Sequence, residues 1–428
     1  MAGFVMKRAL LLTYYMPPRP AIASLRAQHI FTALQEHGWE VIPVVPAIAG
    51  VQYAPPVHTT GVVEFRAPMR RLLGVRDGQT THERLGVEIG SVLTHPTWQQ
   101  RMLQVGHQTV NFAERRLGWL GPGVRAVSSL LAEQPVNAII STSPPVATHL
   151  VAARAHGDIP WIADLRDPWL RCEDGGPVLR AIDELLEGYA FSSASALVAV
   201  SEPIAATLRH RYPRKRVYAA PNAFSAREWD GIAFTHPRCA TLLHAGSLYG
   251  GRRDPRPLFD AVGELIERGV VDRHEIALDF YGDCDPWLQA EIDRRALGGV
   301  AVLHGRRPRE AILPLERAAS RLIVIVGDRR DEIGTFTGKF FEYLGARRKI
   351  IAIGGPPERT VLDDALEQSG AGERCRSTEA LAKAISEAVF EWRSGRTEAV
   401  PDSAVAPFEL AHFGTHYARI LEESICTA

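Results

Sequence analysis

Short apolar runs alternate regularly with amphipathic segments along this chain, and this alternation limits the folds that it can adopt. In the segment RAQHIFTALQEHG, Ile30 and Leu34 have the spacing of one helix face, and Gly38 suits a helix end. The apolar runs between such segments are bounded by Gly, Pro, Asp or Ser and have the length of buried strands. Strand and helix in repeated succession predict an α/β fold with a mostly parallel, doubly wound sheet. The apolar runs of the first half are RALLLTYY, EVIPVVP, GVVEFRAP, NAIIST, WIADL and ALVAVS.

The same alternation starts afresh in the second half, after an irregular stretch near residues 224–237. Two successive units of this kind predict two Rossmann-like domains of about 200 residues each. We place the first domain at 1–225 and the second at 226–405, and we predict that a terminal helix at 406–428 folds back towards the first domain. The apolar runs of the second half are ATLLHAGSL, IALDFYG, VAVLHG, RLIVIVGD and KIIAIGG.

Charge and cysteine content limit the classes of partner and the compartment. The 428 residues include 49 basic and 49 acidic ones, and a formal net charge of zero predicts no general attraction to nucleic acid. Five scattered cysteines form no Cys-x-x-Cys pair, which favours a reducing cytoplasm over a disulfide framework. The apolar run near the first residue is too short to span a membrane. We therefore expect a cytoplasmic protein, with contact to the inner membrane face left open.

One segment, residues 66–120, departs from the alternation. It lacks clear strands and combines several arginines with large apolar side chains. Three interpretations stay open: contact with a lipid surface, part of an acceptor pocket, or helices that cover one side of the first sheet. The last is the simplest, because it requires only an apolar helix face.

A candidate anion site lies in the stretch TFTGKFFEYL, residues 335–344. Thr335, Thr337 and Gly338 precede a predicted helix that begins near Lys339. Free amides at a helix start, the positive end of the helix dipole and threonine hydroxyls favour a bound anion, and a lysine adds charge. A charge-assisted hydrogen bond contributes about 1.5–3 kcal/mol, so two or three such contacts suffice to hold a diphosphate.

Glu342 lies about one turn further along this predicted helix. A carboxylate accepts two hydrogen bonds, which matches the vicinal diol of a ribose beside the diphosphate. The alternative is a glutamate that caps the helix or pairs with a cation.

A second phosphate-binding candidate is the loop SLYGGRR, which follows the apolar run TLLHAG. Its paired glycines allow close approach of the backbone, and Arg252 and Arg253 offer forked, permanently charged donors. A solvated surface loop is the alternative.

Two common nucleotide motifs are excluded. The spacing of Gly334, Gly338 and Lys339 is one residue short of a P-loop, and Phe340 replaces its magnesium-binding Ser or Thr. The turn after the first strand contains no glycine, so the dinucleotide-binding fingerprint is also missing.

Over nearly its whole length, the chain resembles the family 4 glycosyltransferases of the GT-B fold. The resemblance implies two Rossmann-like domains that face a cleft, and transfer of a sugar from a nucleotide diphosphate donor, a UDP- or GDP-sugar, with retained anomeric configuration. It implies no cofactor and no obligatory metal. Order and spacing of the following segments carry the resemblance: LLLTYYMPPRPAIASLRAQHIFTALQEHGWEV, STSPPVATHL, IPWIADLRDPW, VSEPIAATLRHRYP, PNAF, HAGSLYGGRRDPRPL, LDFYGD and TGKFFEYLGARRKIIAIGG.

The resemblance assigns donor binding to the second domain. Glu342 matches the second, ribose-binding glutamate of the family's Glu-x7-Glu motif, whereas Gly334 stands where the first glutamate is expected. Asp331, Glu332 or the backbone amides of residues 335–338 are the candidates to replace it.

The resemblance also suggests contacts for the diphosphate and the base. The family's Gly-Arg-x5-Lys clamp maps onto Gly246, Ser247 and Arg253. Because serine replaces the arginine, Arg252 and Lys339 are the candidates to compensate. The loop that commonly meets the nucleobase corresponds to Gly305 and Arg306.

Acceptor binding is assigned to the first domain. Many relatives carry a histidine after the fourth strand, where STSPP stands here; His149 lies further along, with a structural role as its alternative. Asp167 is a candidate to orient the acceptor or the donor sugar, with a fold-stabilising Arg–Asp network as its alternative. The acceptor-binding candidates are Ser24, Arg26, Ser143, His149, Asp164, Arg166 and Asp167.

The catalytic candidates are Asp167, Arg253 and Lys339. No convincing nucleophile stands in the first half, so we expect a front-face route in which cationic groups stabilise the departing diphosphate. The acceptor is expected to be a soluble small molecule of secondary metabolism. The alternatives are a peripheral-membrane enzyme of surface polysaccharide or glycolipid assembly, a non-catalytic sugar-nucleotide-binding subunit and a nucleotide-sugar epimerase.

Overall fold

The structure is a computed structural model that describes residues 6–19, 22–48, 50–54, 56–62, 116–169, 177–328, 333–396 and 399–426. The chain forms two compact units. The first comprises Met1–Pro221 and Phe413–Ala428, and the second comprises Asn222–His412. The boundary predicted at residue 225 lies close to the first of these divisions.

The first unit is built on a parallel sheet covered by helices. Its strands are β1 (Lys7–Leu12), β2 (Trp39–Pro46), β3 (His58–Thr60), β4 (Ala138–Ser143), β5 (Trp161–Leu165), β6 (Ala196–Ala199) and β7 (Arg216–Ala219). Its helices include α1 (Ile22–Glu36), α2 (Leu120–Glu133), α3 (Ala147–Ala155), α4 (Pro177–Ser193) and α5 (Glu202–Arg211). The seven strands pair in the order β3-β2-β1-β4-β5-β6-β7, each parallel to its neighbours.

Central strands of this sheet are apolar because helices cover both faces. Leu10, Leu11 and Leu12 are fully buried in β1, and every residue of β4 is buried. Each such leucine contributes about 1.5–3 kcal/mol by leaving water. In β4 the buried set includes polar residues such as Ser141, whose partners are described below.

The second unit repeats this architecture. Its strands are β8 (Ala240–Ala245), β9 (Ile276–Tyr281), β10 (Ala301–Leu303), β11 (Arg321–Val326), β12 (Ile350–Gly354) and β13 (Gly372–Cys375). Its helices include α6 (Arg256–Glu267), α7 (Pro286–Arg294), α8 (Arg309–Ala318), α9 (Gly338–Ala346), α10 (Val361–Ser369), α11 (Thr378–Arg393) and α12 (Asp402–Val405). The six parallel strands pair in the order β10-β9-β8-β11-β12-β13. The prediction of two doubly wound, parallel α/β sheets is confirmed.

The last helix, α13 (Leu410–Cys426), passes from the second unit into the first. His416 Nε2 lies 2.9 Å from the carbonyl oxygen of Ala219, and Arg216 Nη1 donates to the carbonyl of Glu423 at 2.8 Å. These bonds attach the helix to the edge strand β7. In the described part of the chain, no helix is both long and apolar enough to cross a membrane.

Two strands differ from the sequence-based expectation. Strand β13 was not predicted because Glu373 and Arg374 interrupt its apolar character, as an edge strand tolerates. The run GVVEFRAP was predicted as a strand, but the observed strand β3 precedes it, and residues 61–62 are not in a strand. Residues 63–68, and the segment 66–120 up to residue 115, lie outside the described residues.

Candidate functional site

The loops that follow β8, β9 and β10 meet at one edge of the second sheet. The amide of Gly246 donates to the carbonyl of Tyr281 at 2.7 Å, and the amide of Gly282 donates to the carbonyl of Gly305 at 3.2 Å. Gly282 has a φ of +153°, and a Cβ there would lie 2.1 Å from the carbonyl oxygen of Gly246. This close approach requires glycine, so predicted residues Gly246 and Gly305 belong to one compact loop cluster.

Gly282 therefore provides a stability test of this cluster. We expect Gly282→Ala to lower the free energy of unfolding by about 2–4 kcal/mol, because its Cβ overlaps a backbone oxygen. Urea unfolding of the purified protein measures the effect. In the matched control Gly263→Ala, the new Cβ on α6 meets no atom within 4 Å, and we expect a gain of about 0.5–1 kcal/mol. Equal stability of the two variants contradicts the prediction.

Asp283 connects the loops after β8 and β10. Ser247 Oγ donates to Asp283 Oδ2 at 2.7 Å, and Arg306 Nε donates to Asp283 Oδ1 at 2.7 Å. Partial burial acts to raise the pKa of Asp283, but the bonds from Ser247 and Arg306 outweigh it and hold the pKa below its usual value. Ser247 and Arg306 are thus brought together as predicted donor-site neighbours. Asp283 itself was not singled out, although the segment LDFYGD contains it.

The loop that carries Arg252 and Arg253 turns through a short 3-10 segment, Tyr249–Gly251. Gly250 and Gly251 have φ values of +64° and +91°, which glycine adopts without strain. Arg252 is exposed, and the Arg253 guanidinium lies 4.7 Å from the centre of the Tyr249 ring. The stacking orders one of the two predicted phosphate-binding arginines.

Helix α9 begins at Gly338, one residue before its predicted start. Thr337 is its N-cap, with an extended backbone, and the threonine side chain makes no capping hydrogen bond to the helix. The helix start therefore keeps amide donors and a hydroxyl that suit an anion. Thr335 precedes the N-cap by two residues, whereas Asp331 and Glu332 lie outside the described residues.

Lys339 and Glu342 from the start of α9 form an ion-pair cluster with Arg309 from the start of α8. Lys339 Nζ donates to Glu342 Oε1 at 2.6 Å, and Arg309 Nη1 contacts Glu342 Oε2. Arg309 also donates through Nη2 to Glu228 Oε2 at 3.0 Å. The ion-paired alternative for Glu342 is therefore observed. Each carboxylate oxygen retains a second lone-pair direction for a ligand hydroxyl, so ribose binding stays compatible with these contacts.

Glu316 on α8 is a buried carboxylate beside this cluster. It is fully buried, and neither carboxylate oxygen has a hydrogen-bond partner in the described part of the chain. Lys339 Nζ lies 4.0 Å from Glu316 Oε1. Burial raises the pKa of Glu316, while Lys339 and Arg309 act against the rise. Burial also lowers the pKa of Lys339, and Glu316 opposes that change.

The side chain of His244, the penultimate residue of strand β8, lies in the same region. Its Nδ1 lies 2.9 Å from the carbonyl oxygen of Ile323, which makes Nδ1 the protonated nitrogen and leaves Nε2 as an acceptor. A Cβ on Gly246 would lie 3.4 Å from this Nε2 and 3.8 Å from Lys339 Cε, so all three border one space. Burial lowers the pKa of His244 to about 4, and Lys339 and Arg253 add to the effect. The imidazole is therefore uncharged near neutral pH.

In the first unit, Arg26 and Asp164 contact each other. Arg26 Nη2 donates to Asp164 Oδ1 at 2.6 Å and Nε donates to Oδ2 at 3.2 Å, with both side chains almost fully buried. Thr142 Oγ1 donates to Asp164 Oδ2 at 2.7 Å. The neighbouring candidate Ser24 is also buried, and its hydroxyl donates to the carbonyl of Arg19 at 2.8 Å. Such contacts are typical of a fold-stabilising network.

His149, on α3, is fully buried and is surrounded by aromatic rings from other elements. It stacks on Trp169 with ring centres 5.9 Å apart, and its Nδ1 lies 2.8 Å from Ser141 Oγ. Burial lowers the pKa of His149 to about 3, and the charge of Asp164 acts in the opposite direction. These surroundings favour the structural alternative for this residue.

The remaining acceptor candidates follow two neighbouring strands. Ser143 is the last residue of β4, and it pairs with Leu165, the last residue of β5. Arg166 and Asp167 come directly after β5 and are half-buried. The carboxyl ends of parallel strands form the usual ligand-binding edge of such a sheet. A direct role for these three residues stays a prediction.

The arrangement in the second unit combines cations, backbone donors and carboxylates. It can bind a diphosphate at the start of α9, and its carboxylates can accept hydrogen bonds from sugar hydroxyls. Arg309, Glu316 and His244 were not predicted, because they come from other elements of the chain. The basic run RRPR at residues 306–309 is a local signal by which Arg309 could have been found.

Comparison with known proteins adds a likeness of fold. No protein-family model matches the chain, and no curated protein matches it. The structure is similar to sucrose-phosphate synthase from Thermosynechococcus elongatus, with 12% identity, a TM-score of 0.64, and 99% of this chain and 100% of that chain covered. It is similar to the lipopolysaccharide outer core galactosyltransferase WaaB in its apo form, with 12% identity, a TM-score of 0.59, and 97% and 100% covered.

A third similar structure is trehalose-6-phosphate from E. coli bound with UDP-2-fluoro glucose, with 11% identity, a TM-score of 0.60, and 97% of this chain and 99% of that chain covered. All three likenesses extend over nearly the whole of this chain, including both of its parallel α/β sheets, at very low sequence identity. The chain therefore has the GT-B fold.

Proposed function

We propose that the chain is a retaining glycosyltransferase of the family 4 type, which moves a sugar from a UDP- or GDP-sugar to an acceptor. One observation carries the proposal. The start of α9, with Lys339, borders the same space as Gly246, at the edge where the loops of Ser247 and Arg306 meet. This is the sheet edge at which open α/β sheets bind ligands. A similar structure that is bound with UDP-2-fluoro glucose supports a nucleotide-sugar donor.

In the proposed reaction, Lys339, Arg253 and the amides of α9 bind the diphosphate and stabilise the charge that develops on it as the glycosidic bond breaks. The nucleophilic atom of the acceptor forms the new bond to the anomeric carbon as the bond from that carbon to the phosphate oxygen breaks, and the leaving phosphate accepts the proton of the acceptor. Glu342 accepts hydrogen bonds from the ribose, and Gly305 and Arg306 adjoin the base. Asp167 orients the acceptor or the donor sugar. We propose that no cofactor or metal is required, and we therefore expect turnover to be undiminished after treatment with a chelator. Loss of turnover contradicts this.

For the acceptor, we propose a soluble small molecule of secondary metabolism and a cytoplasmic location. The balanced net charge of zero supports this choice over an anionic membrane surface. Sedimentation with anionic vesicles tests it. Co-sedimentation favours the alternative, a peripheral-membrane enzyme of polysaccharide or glycolipid assembly.

A second candidate function is a sugar-nucleotide-binding subunit without transfer activity. Gly334 in place of the expected glutamate, together with STSPP where many relatives carry a histidine, favours this candidate. Incubation with a panel of nucleotide sugars and a cell extract separates the two. Acceptor-dependent release of nucleoside diphosphate supports the transferase, and binding without release supports the subunit. Isomerised donor without acceptor indicates an epimerase instead.

Removal of either of two predicted donor contacts tests the site. We expect Arg253→Ala and Glu342→Ala each to weaken donor binding about tenfold or more, because each removes a charge-assisted hydrogen bond. Isothermal titration with UDP- and GDP-sugars measures the loss. Arg268→Ala is the control, since among the described residues the ion pair of this exposed arginine is with Glu264, one turn away on α6. If both site variants bind and turn over like the unmodified protein, the site assignment is wrong.

A further inference from the structure

Glu316 lies beside the proposed nucleotide site but has no role there as a contact for the diphosphate, the ribose or the base. An ionised carboxylate is stable in a protein interior only when hydrogen bonds or close charges compensate its burial. Glu316 is fully buried, has no hydrogen-bond donor in the described part of the chain, and lies 4.0 Å from the nearest ammonium, that of Lys339. Burial raises the pKa of Glu316 to about 7, so the ionised and the uncharged forms are both populated near neutral pH, and a bound anion shifts the balance towards the uncharged form.

The charges around Glu316 come from several elements. Helix α9 contributes Lys339, Glu342 and Tyr343, helix α8 contributes Arg309, and strand β8 with its following loop contributes His244 and Arg253. His244 is uncharged near neutral pH, because burial lowers its pKa to about 4. Burial raises the pKa of Tyr343, so its hydroxyl is also uncharged there. Glu316 is therefore the member of this group whose ionisation decides how positive the site is near neutral pH.

Ionisation of Glu316 has two effects on Lys339. It adds one negative charge to a site that must attract a diphosphate, so the net charge of the site falls by one unit. It also provides a second carboxylate that competes for the ammonium, since Lys339 already donates to Glu342 at 2.6 Å. Both effects weaken the binding of an anion at the start of α9.

We propose that Glu316 is a positioning residue that takes up a proton when a nucleoside diphosphate binds at the start of α9, and thereby keeps Lys339 available for the phosphates. The inference rests on the proposed nucleotide-sugar site. Binding of an anion disfavours a nearby negative carboxylate, and the reciprocal effect follows from linkage: protonation of Glu316 strengthens anion binding.

Proton uptake on binding tests this role. UDP and GDP are titrated into the full chain by calorimetry, in buffers of different ionisation enthalpy, from about pH 6 to about pH 8. We expect the unmodified protein to take up protons and to lose affinity, relative to Glu316→Gln, by up to about tenfold per pH unit as Glu316 ionises. A cationic site favours the ionised diphosphate, so the nucleotide itself releases protons and does not account for uptake.

Glu316→Gln keeps the shape of the side chain and removes its titration, and a thermal melt establishes that it folds. Glu310→Gln, at an exposed position of the same helix, is the matched control and should behave like the unmodified protein. Equal proton uptake in Glu316→Gln and the control overturns the role of Glu316 alone. Absence of uptake by the unmodified protein at about pH 8, where the free diphosphate is already ionised and releases no protons, overturns it whether or not the variant folds. Absence of any UDP or GDP binding overturns the proposed function as well.

Discussion

Replacing Lys339 by methionine should weaken the binding of UDP or GDP by about 10- to 100-fold. The lysine stands on the first turn of α9, where its charge adds to the amide donors and the helix dipole. A lost charge-assisted hydrogen bond costs about 1.5–3 kcal/mol, which corresponds to this range. Methionine retains most of the apolar side chain, so packing beside Gly246 is preserved. Isothermal titration at constant ionic strength measures the change.

Lys383→Met is the control for this experiment. Lys383 is an exposed lysine on α11 that pairs with Glu387 across one helical turn, and its replacement should leave nucleotide affinity unchanged. An effect of Lys339→Met smaller than about twofold, with Glu342→Ala still impaired, contradicts the diphosphate role of Lys339. It leaves the ribose role of Glu342 in place.

Asp164→Asn should lower the free energy of unfolding by about 3–5 kcal/mol, because it leaves the buried guanidinium of Arg26 without its counter-charge. The two side chains are almost fully buried and joined by two hydrogen bonds of 2.6 and 3.2 Å. Asparagine keeps the shape of aspartate, so the loss reports charge and hydrogen bonding rather than a cavity. Urea unfolding followed by circular dichroism measures it.

The exposed residue Asp158 supplies the control, and Asp158→Asn should change stability by less than about 0.5 kcal/mol. A normal stability of Asp164→Asn, combined with a raised KM for the acceptor, supports the acceptor-binding role predicted from the sequence. A large loss of stability supports the fold-stabilising network instead. The experiment thus separates the two interpretations of Arg26 and Asp164.

Local pattern predicted most of the fold because strands and helices are encoded by neighbouring residues. The helix RAQHIFTALQEHG appears as α1 with its glycine just beyond the end, and the run IALDFYG appears as β9. The edge strand β13 was not predicted, because Glu373 and Arg374 interrupt the apolar run by which a strand is recognised. Edge strands need less apolar character, so the signal on which the prediction depended is weakest there.

Within the candidate site, the sequence alone determined what lies on one element. Lys339 and Glu342 are three residues apart, and a helix places such residues on one face, where they form an ion pair. The same reasoning indicated an anion site at the start of α9. The absence of a glutamate at Gly334 is likewise a property of the sequence alone.

Only the tertiary structure decided which distant side chains join that pair. His244, Arg309 and Glu316 lie far from Lys339 along the chain, and parallel strand order brings them to one edge of the second sheet. Likewise, Arg26 meets Asp164 across 138 positions of sequence. Hydrophobic period and helix signals act over a few residues, whereas burial and pairing of charges depend on contacts between elements. The sequence therefore predicts where an anion can bind, and the tertiary structure determines the charge of that site.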